Sequence, residues 1–526
     1  MVNLGNKKLQ TVLTLIMGSL IVSLWTFFRF FTKSINFDLV GQQLLSRQWL
    51  DGNFEGAITA PTNYILKMIF LYIPGELLDA DPKLFLIIVT LVVNVLTFIG
   101  IYFILRKILK YFSINSGAIF NISMIWLATV AGSVFWIQFV NSRNIELLAG
   151  LVLLYLGLTL YRKMSTYRSL LFVTFAGLVY FADPLQLLVT SVILVVYVVL
   201  NSLIFDKTKL KQAFIIMLLI TSGYLLSLVL VYVVQQFTKV DFFGVSSIAQ
   251  SLAIFNNIPI VAMETIKNAI RLVSGTNELG VWRQILSALV VIILTALSIA
   301  SIIRKREYIR NRNLLLFTLL MLITPIAVYI ASGQPVFKAD TSRYLIVLAP
   351  ALVILFSISD LKQVSRRLYC SVVIAVSTLL LVSTISLVQA TLKGSERGIL
   401  STIHLEERFN YLVENNHQYG YSSMDTAIPS MYFFGRNTDK VLLPLSCEKG
   451  ILRKVALFYD KNLFITYEKD DIHVPIILDG DSINNYPSTC SIDSIKQQLG
   501  DPIKIDTNNQ NTVLYYGSDK MKELRY

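Results

Sequence analysis

The sequence predicts a polytopic α-helical membrane protein with about eleven transmembrane helices and a small C-terminal extracytoplasmic α/β domain. Hydrophobic residues make up 55% of the 526 residues, and charged residues only 15%. A soluble protein carries about 25% charged residues. Apolar runs that can cross a bilayer, about 20 residues each, recur along the chain. These observations place most of the chain in a membrane.

The first apolar run is predicted to be an uncleaved span, because it is too long for a signal-peptide core and no small-residue cleavage site follows it. The predicted spans are 11–31, 84–105, 116–134, 145–161, 169–182, 185–204, 212–234, 284–303, 314–331, 344–358 and 368–389. The pair on either side of Asp183 is short enough to form one bent hairpin instead.

Basic residues cluster in every second loop between the spans. They are Lys7, Lys8, Arg106, Lys107, Lys110, Arg162, Lys163, Arg168, Lys207, Lys209, Lys211, Arg304, Lys305, Arg306, Arg310, Arg312, Lys362, Arg366 and Arg367. The positive-inside rule then predicts a cytoplasmic N-terminus and an extracytoplasmic C-terminus. The same rule explains the net charge of +13 without a nucleic-acid partner.

The composition changes near residue 390, which predicts a transmembrane domain over 1–390 and an outer domain over 391–526. In the outer domain, 404–415 and 491–500 have helical patterns, whereas 440–446, 474–480 and 511–518 are typical of strands. Cys447 and Cys490 lie in this region. Outside the cytoplasm they can form a disulfide, and the alternative is two unpaired thiols in the core. Cys370, near the start of a span, is interpreted as an apolar filler.

Asp38 follows the first span directly and opens the stretch FDLVGQQLLSRQWLDG. An aspartate in a loop is ionised at neutral pH, so Asp38 can act as a general base toward an acceptor hydroxyl. The structural alternative is that Asp38 caps a short, mildly amphipathic helix. Asp51 and Glu55, farther along, are expected to be solvated acids.

The second outer loop carries Arg143 and Glu146, which are three residues apart at the end of a span and can share one helix face. Glu146 lies inside the apolar run or at its edge. An ionisable group costs about 2–3 kcal/mol at depth in the bilayer and is a functional candidate for that reason. A local ion pair between the two residues that fixes the end of the span is an equal alternative.

Three further cations are candidates to bind phosphate at the outer interface. Lys338 and Arg343 precede a late span, and Arg271 lies in the long loop 235–283. A guanidinium can bind a phosphate through two hydrogen bonds. Arg343 can equally be an arginine whose side chain extends to the interface for structural reasons.

One outer carboxylate and several outer cations are sufficient to transfer a sugar from a phosphate carrier to a hydroxyl group. A sugar carried on a polyprenyl phosphate leaves as a phosphate, which needs a cation to stabilise its charge and no general acid. The acceptor hydroxyl needs one carboxylate base. A glycoside hydrolase more typically shows a carboxylate pair that flanks the bond, and the sequence does not specify such a pair.

The chain resembles the glycosyltransferase C superfamily, in particular bacterial relatives of protein O-mannosyltransferases and the aminoarabinose transferases of lipid A. The stretches that carry the resemblance are FDLVGQQLLSRQWLDG, APTNYILKMIFLYIPG, SRNIE, SRYLIVLAP and YGYSSMDTAIPSMYFFGRNTDKVLLPLSC. The resemblance extends over most of the chain, although each of these motifs is degenerate.

The resemblance implies that Asp38 is the catalytic base and Glu146 a second acid. It also implies that Arg343 and Lys338, with Arg143 and Arg271 as further candidates, contact the donor phosphate. The family usually has two adjacent acids in the first loop, whereas here Asp38 is followed by Leu39. No cofactor is therefore assigned, and a divalent cation, Mg²⁺ or Mn²⁺, is left open.

The predicted function is transfer of a sugar from a polyprenyl-phosphate donor to an extracytoplasmic acceptor, which can be a cell-envelope glycan, teichoic acid, lipid or protein. The enzyme would be a multi-pass cell-membrane protein whose active site faces outward. The alternatives are a transporter or lipid-linked glycan flippase, a structural envelope protein, and a ligase that uses a diphosphate-linked donor. A transporter is disfavoured because few charges lie deep in the spans and no internal repeat is visible.

Overall fold

The fold is taken from a computed structural model. It describes residues 7–32, 37–52, 58–59, 68–78, 81–114, 117–129, 143–238, 241–242, 262–263, 265–267, 269, 281–304, 308–331, 345–358, 366–396, 403–448, 450–455, 473–478, 480, 482–485, 488–508 and 511–524. The chain forms two compact units. Unit 1 contains 1–29, 89–230 and 245–396, and unit 2 contains 30–88, 231–244 and 397–526. The predicted domain boundary at residue 390 stays a prediction.

Helices dominate the described part of the chain. They are α1 Lys7–Thr32, α2 Phe37–Leu50, α3 Ile73–Leu77, α4 Pro82–Tyr111, α5 Ala118–Thr129, α6 Arg143–Arg162, α7 Thr166–Ala182, α8 Val192–Ile204, α9 Leu210–Thr238, α10 Val281–Arg304, α11 Tyr308–Ala331, α12 Leu348–Ile358, α13 Arg366–Glu396, α14 Ile403–Glu414, α15 Met424–Phe434, α16 Ile492–Leu499 and α17 Ser518–Glu523. Wider turns of π-helix, Met68–Tyr72 and Leu187–Ser191, lead into α3 and α8.

Each of the eleven predicted spans contains a helix, so the predicted helical membrane fold is confirmed. Among the described residues, six helices are long and apolar enough to cross a bilayer, and several shorter apolar helices accompany them. The count of about eleven spans and the orientation stay predictions. Asp183 separates two helices, because the backbone is extended there after α7.

Unit 1 packs around a large apolar core, in which some aromatic side chains form hydrogen bonds between helices. The indole N–H of Trp25 in α1 donates to the carbonyl of Thr129 at the end of α5, 3.3 Å away. The hydroxyl of Tyr161 in α6 bonds Asn201 and Ser202 in α8 at 3.1 and 2.8 Å. Such bonds hold helices together in lipid, where water cannot satisfy a polar side chain.

Unit 2 contains a mixed sheet of six strands in the order β5-β4-β3-β6-β10-β9. The strands of this unit are β1 Ile58–Thr59, β2 Asp241–Phe242, β3 Tyr419–Ser423, β4 Val441–Glu448, β5 Ile451–Lys454, β6 Val474–Ile477, β7 Ser482–Asn485, β8 Ser488–Ser491, β9 Lys504–Asn508 and β10 Asn511–Tyr516. β3 pairs in parallel with β4 and β6, and α15 is the crossover helix between β3 and β4. The predicted strands at 440–446, 474–480 and 511–518 correspond to β4, β6 and β10.

The predicted helices of the outer domain are also present. α14 covers the first of them, and α16 the second. Ser491 caps α16 by accepting the backbone N–H of Ser494. Gly500 ends it with a φ of +83°, a conformation that glycine adopts without strain.

A disulfide bond joins Cys447 in β4 to Cys490 in β8, with the two sulfur atoms 2.06 Å apart. It attaches the separate β7–β8 hairpin to the main sheet. The bond closes a loop with a sequence separation of 43 residues, and a loop of this length restricts the unfolded chain strongly.

We expect the double variant Cys447→Ser/Cys490→Ser to lower the unfolding free energy by about 2–4 kcal/mol, because the loop is then open in the unfolded chain. Thermal unfolding of the purified full-length chain measures the change, with Cys370→Ser as the control that should unfold like wild type. Maleimide labelling after denaturation supplies a direct check. Labelling of Cys447 or Cys490 before reduction would contradict the bond.

Candidate functional site

The structure describes part of the predicted site. Asp38 lies in the first turn of α2, within unit 2, and its side chain is outside the description. Arg143 opens α6 in unit 1, likewise without a described side chain. Lys338, Arg343 and Arg271 lie outside the described residues. The roles of these five residues stay predictions.

Glu146 is the predicted site residue whose side chain the structure does describe. It lies in the first turn of α6 and is only 4% exposed. A buried carboxylate is costly unless other groups compensate its charge. This placement meets the expectation of an ionisable group at the edge of an apolar span.

Asp183, between α7 and α8, is a second buried carboxylate in unit 1. A side chain at Gly150 would meet the amide of Gln186, and one at Gly157 would meet Leu194, so α6 runs alongside the segment that follows Asp183 and in the same direction. Asp183 is 2% exposed and accepts a hydrogen bond from Gln186 at 3.4 Å. Sequence reasoning treated Asp183 only as a bend.

Unit 2 contains a buried charged cluster that the sequence analysis missed. We call it the Arg47 cluster, and its members are Arg47, Glu76, Tyr432 and Arg436. The Nε of Arg47 lies 3.1 Å from Oε2 of Glu76, and its Nη2 lies 3.5 Å from Oε1. Both side chains are about nine-tenths buried. Arg47 comes from α2 and Glu76 from α3, so this pair joins the two helices of the first loop.

Arg47 also binds the end of α15, in the C-terminal region. Its Nη1 donates to the carbonyl of Tyr432 at 3.0 Å and to that of Met431 at 3.4 Å. Its guanidinium lies 5.2 Å from the centre of the Tyr432 ring. The last carbonyls of a helix have no partner within the helix and carry partial negative charge. Arg47 therefore caps α15 from a distant part of the sequence.

Arg436 and Tyr432 complete the cluster. Arg436 donates to the backbone carbonyl of Glu76 at 3.3 Å, and its Nη2 is 3.9 Å from the Glu76 carboxylate. The hydroxyl of Tyr432 donates to the carbonyl of Pro82, at the start of α4, at 3.2 Å. Glu76 thus sits between two guanidinium groups, which compensate its burial.

The environment of Tyr432 raises the pKa of its phenol well above the ordinary value of 10.0. Burial is the main cause, because it disfavours the phenolate. The negative charge of Glu76 adds to the rise, and Arg47 and Arg436 oppose it.

Weak signals for the Arg47 cluster are present in the sequence. Arg47 is the single cation in the stretch 37–50, and Glu76 directly follows the Pro-Gly turn at 74–75. Neither pattern identifies a partner that lies hundreds of residues away. Within the described part of the chain, no group of three or more His, Cys, Asp or Glu could hold a metal ion. The Mg²⁺ or Mn²⁺ ion left open by the sequence stays a prediction.

The fold is similar to that of a solved protein. The crystal structure of ArnT from Cupriavidus metallidurans bound to undecaprenyl phosphate matches with a TM-score of 0.52 and 11% identity, over 98% of this chain and 98% of that chain. No family model matches the chain, and no curated protein matches it by sequence. The likeness confirms the predicted resemblance at the level of the fold.

We expect wild type to lose stability relative to Tyr432→Phe as the pH rises above 10.0, the ordinary pKa of tyrosine. The unfolded chain releases the Tyr432 proton there, while the folded chain retains it because its pKa is raised. The loss is at most about 1.4 kcal/mol per pH unit. Unfolding midpoints on both sides of this pH measure it. Tyr167→Phe, at a tyrosine that is 76% exposed, should follow wild type, and equal pH dependence of wild type and Tyr432→Phe would refute the assignment.

Proposed function

We propose that this protein is a membrane glycosyltransferase that transfers a sugar from a polyprenyl-phosphate donor to an acceptor hydroxyl on the extracytoplasmic face. The fold shared with ArnT, a protein solved with undecaprenyl phosphate bound, carries the proposal. At 11% identity this likeness concerns the fold. The chemistry rests on the residues of this chain.

In the proposed reaction, the Asp38 carboxylate removes the proton of the acceptor hydroxyl. The oxygen then attacks the anomeric carbon of the sugar, a C–O bond forms, and the bond from that carbon to the phosphate oxygen breaks. Polyprenyl phosphate leaves with the bonding electron pair, and Asp38 holds the proton. Each atom and charge is accounted for without a cofactor.

The location of Asp38 supports its role as base. It occupies the first turn of α2, where the helix dipole favours a negative charge. The described residues that follow, from Val40 to Gln48, are all buried.

The remaining predicted residues receive supporting roles. Arg343 and Lys338, with Arg143 and Arg271, would neutralise the leaving phosphate. Glu146, in the first turn of α6, would orient a sugar hydroxyl or bind a divalent cation. The acceptor class is the cell-envelope glycan, teichoic acid, lipid or protein, and the lipid bilayer supplies the donor.

We expect Asp38→Asn to abolish a sugar-sized mass increment in the cell envelope. Cells that lack the protein are complemented with wild type, Asp38→Asn or Asp51→Asn, and envelope glycans are compared by mass spectrometry at equal protein amounts. General-base catalysis contributes about 10²–10⁴-fold, so the loss should be near complete. Asp51, an exposed acid directly after α2, is the matched control and should leave the increment intact.

Two results would contradict the proposal. If cells that lack the protein keep every glycan increment, a transporter or a structural envelope protein is the better account. If the increment is lost in those cells but Asp38→Asn restores it, Asp38 is not the base, and Glu146 becomes the next candidate.

A further inference from the structure

The middle of helix α2, from Val40 to Gln48, is buried on all sides although it carries several polar residues. Between Val40 and Gln48 every residue is buried, and five of them are polar: Gln42, Gln43, Ser46, Arg47 and Gln48. The sequence predicts a short, mildly amphipathic helix here, and the structure shows that its polar residues in 42–48 are buried as well. Burial of polar side chains is costly without hydrogen bonds. The side-chain carbonyl oxygens of Gln42 and Gln48 have no hydrogen-bond partner among the described residues, so strong polar contacts elsewhere on this helix are needed to offset that cost.

Arg47 supplies those contacts in unit 2. Its guanidinium binds the Glu76 carboxylate through two nitrogens and the end of α15 through a third. A planar guanidinium that is bound on two sides fixes direction as well as distance. Arg436 holds the same carboxylate from the C-terminal region. The helix α2 is therefore attached to α15 at a defined rotation about its own axis.

That rotation determines where position 38 lies. Nine residues separate positions 38 and 47, which places them about 180° apart around the axis and about 13 Å apart along it. The edge of a helix lies about 5–6 Å from its axis, so a turn of about 10° shifts that edge by about 1 Å. A misplacement of about 1 Å at a reacting group can cost about 10²-fold in rate.

We propose that the Arg47 cluster is a clamp through which the C-terminal region holds α2 and thereby sets the position of Asp38. Arg47, Glu76 and Arg436 are positioning residues in this scheme. That Asp38 is the base rests on the proposed function, whereas the clamp itself does not. The C-terminal region then serves the reaction by ordering the first loop.

Hydrogen exchange of the purified full-length chain in detergent tests the clamp without any substrate. We expect Arg47→Met to raise amide exchange in 37–50 at least tenfold while strands β3, β4, β6 and β10 stay protected. Glu76→Gln should act in the same direction, because Arg47 then loses its charged partner. Arg47→Lys should give an intermediate rise in exchange, since an ammonium group keeps the charge but cannot bind Glu76 and α15 through three separate nitrogens.

Arg408→Met is the matched control. Arg408 binds the same helix α15 at its other end, through Thr426 at 2.7 Å, and also binds Asn511 at 3.1 Å. Its removal should leave exchange in 37–50 at the wild-type level. Unchanged exchange in 37–50 for Arg47→Met would overturn the clamp. An equal rise across the whole C-terminal region would overturn it too, because Arg47 would then support the fold in general.

A second readout links the clamp to the reaction. We expect the rate at which the glycan increment appears after induced expression to fall about 100-fold for Arg47→Met, partly recover for Arg47→Lys, and stay unchanged for Arg408→Met. Release of 37–50 in Arg47→Met with an unaltered rate would overturn the positioning role. If Asp38→Asn transfers sugar like wild type while Arg47→Met still releases 37–50, the proposed function fails and the clamp stands.

Discussion

The burial of the Arg47 guanidinium is the constraint on which the arrangement of unit 2 depends. A buried guanidinium carries five N–H donors and a charge that cannot be removed by deprotonation. It therefore requires a carboxylate and further acceptors in a fixed geometry, and Glu76 and the end of α15 provide them. α2, α3 and α15 are consequently held together by one side chain, and the sheet behind α15 is tied to the first loop.

The membrane helices could be predicted from the sequence because the bilayer leaves the chain few choices. Backbone polar groups in lipid must bond within the segment, so a long apolar run forms a helix. β4, β6 and β10 could be predicted for a related reason, since their apolar residues are contiguous and turn residues flank them. β3, with the sequence YGYSS, has small polar residues and no apolar alternation, and its burial follows from its central position in the sheet.

The site was less predictable, because its features depend on tertiary packing. Asp38 and Glu146 were identified as acids at the ends of spans, and Glu146 is indeed buried. Asp183 was missed as a candidate because its burial follows from tertiary packing, which no local pattern encodes. The Arg47 cluster was missed for the same reason. The members of the Arg47 cluster come from three separate stretches of sequence, and only the fold brings them together.

The separation in sequence between Arg47 and Tyr432 has a consequence for how the protein is made. The two residues are 385 positions apart, and a ribosome adds about 5–20 residues per second. The segment that forms α2 is therefore synthesised about 20–80 s before α15, whose end Arg47 caps. Under the proposed clamp, a chain that terminates before α15 lacks the carbonyl groups that Arg47 binds, and we expect its first loop to be less ordered. Completion of synthesis would then be a condition for ordering of the first loop.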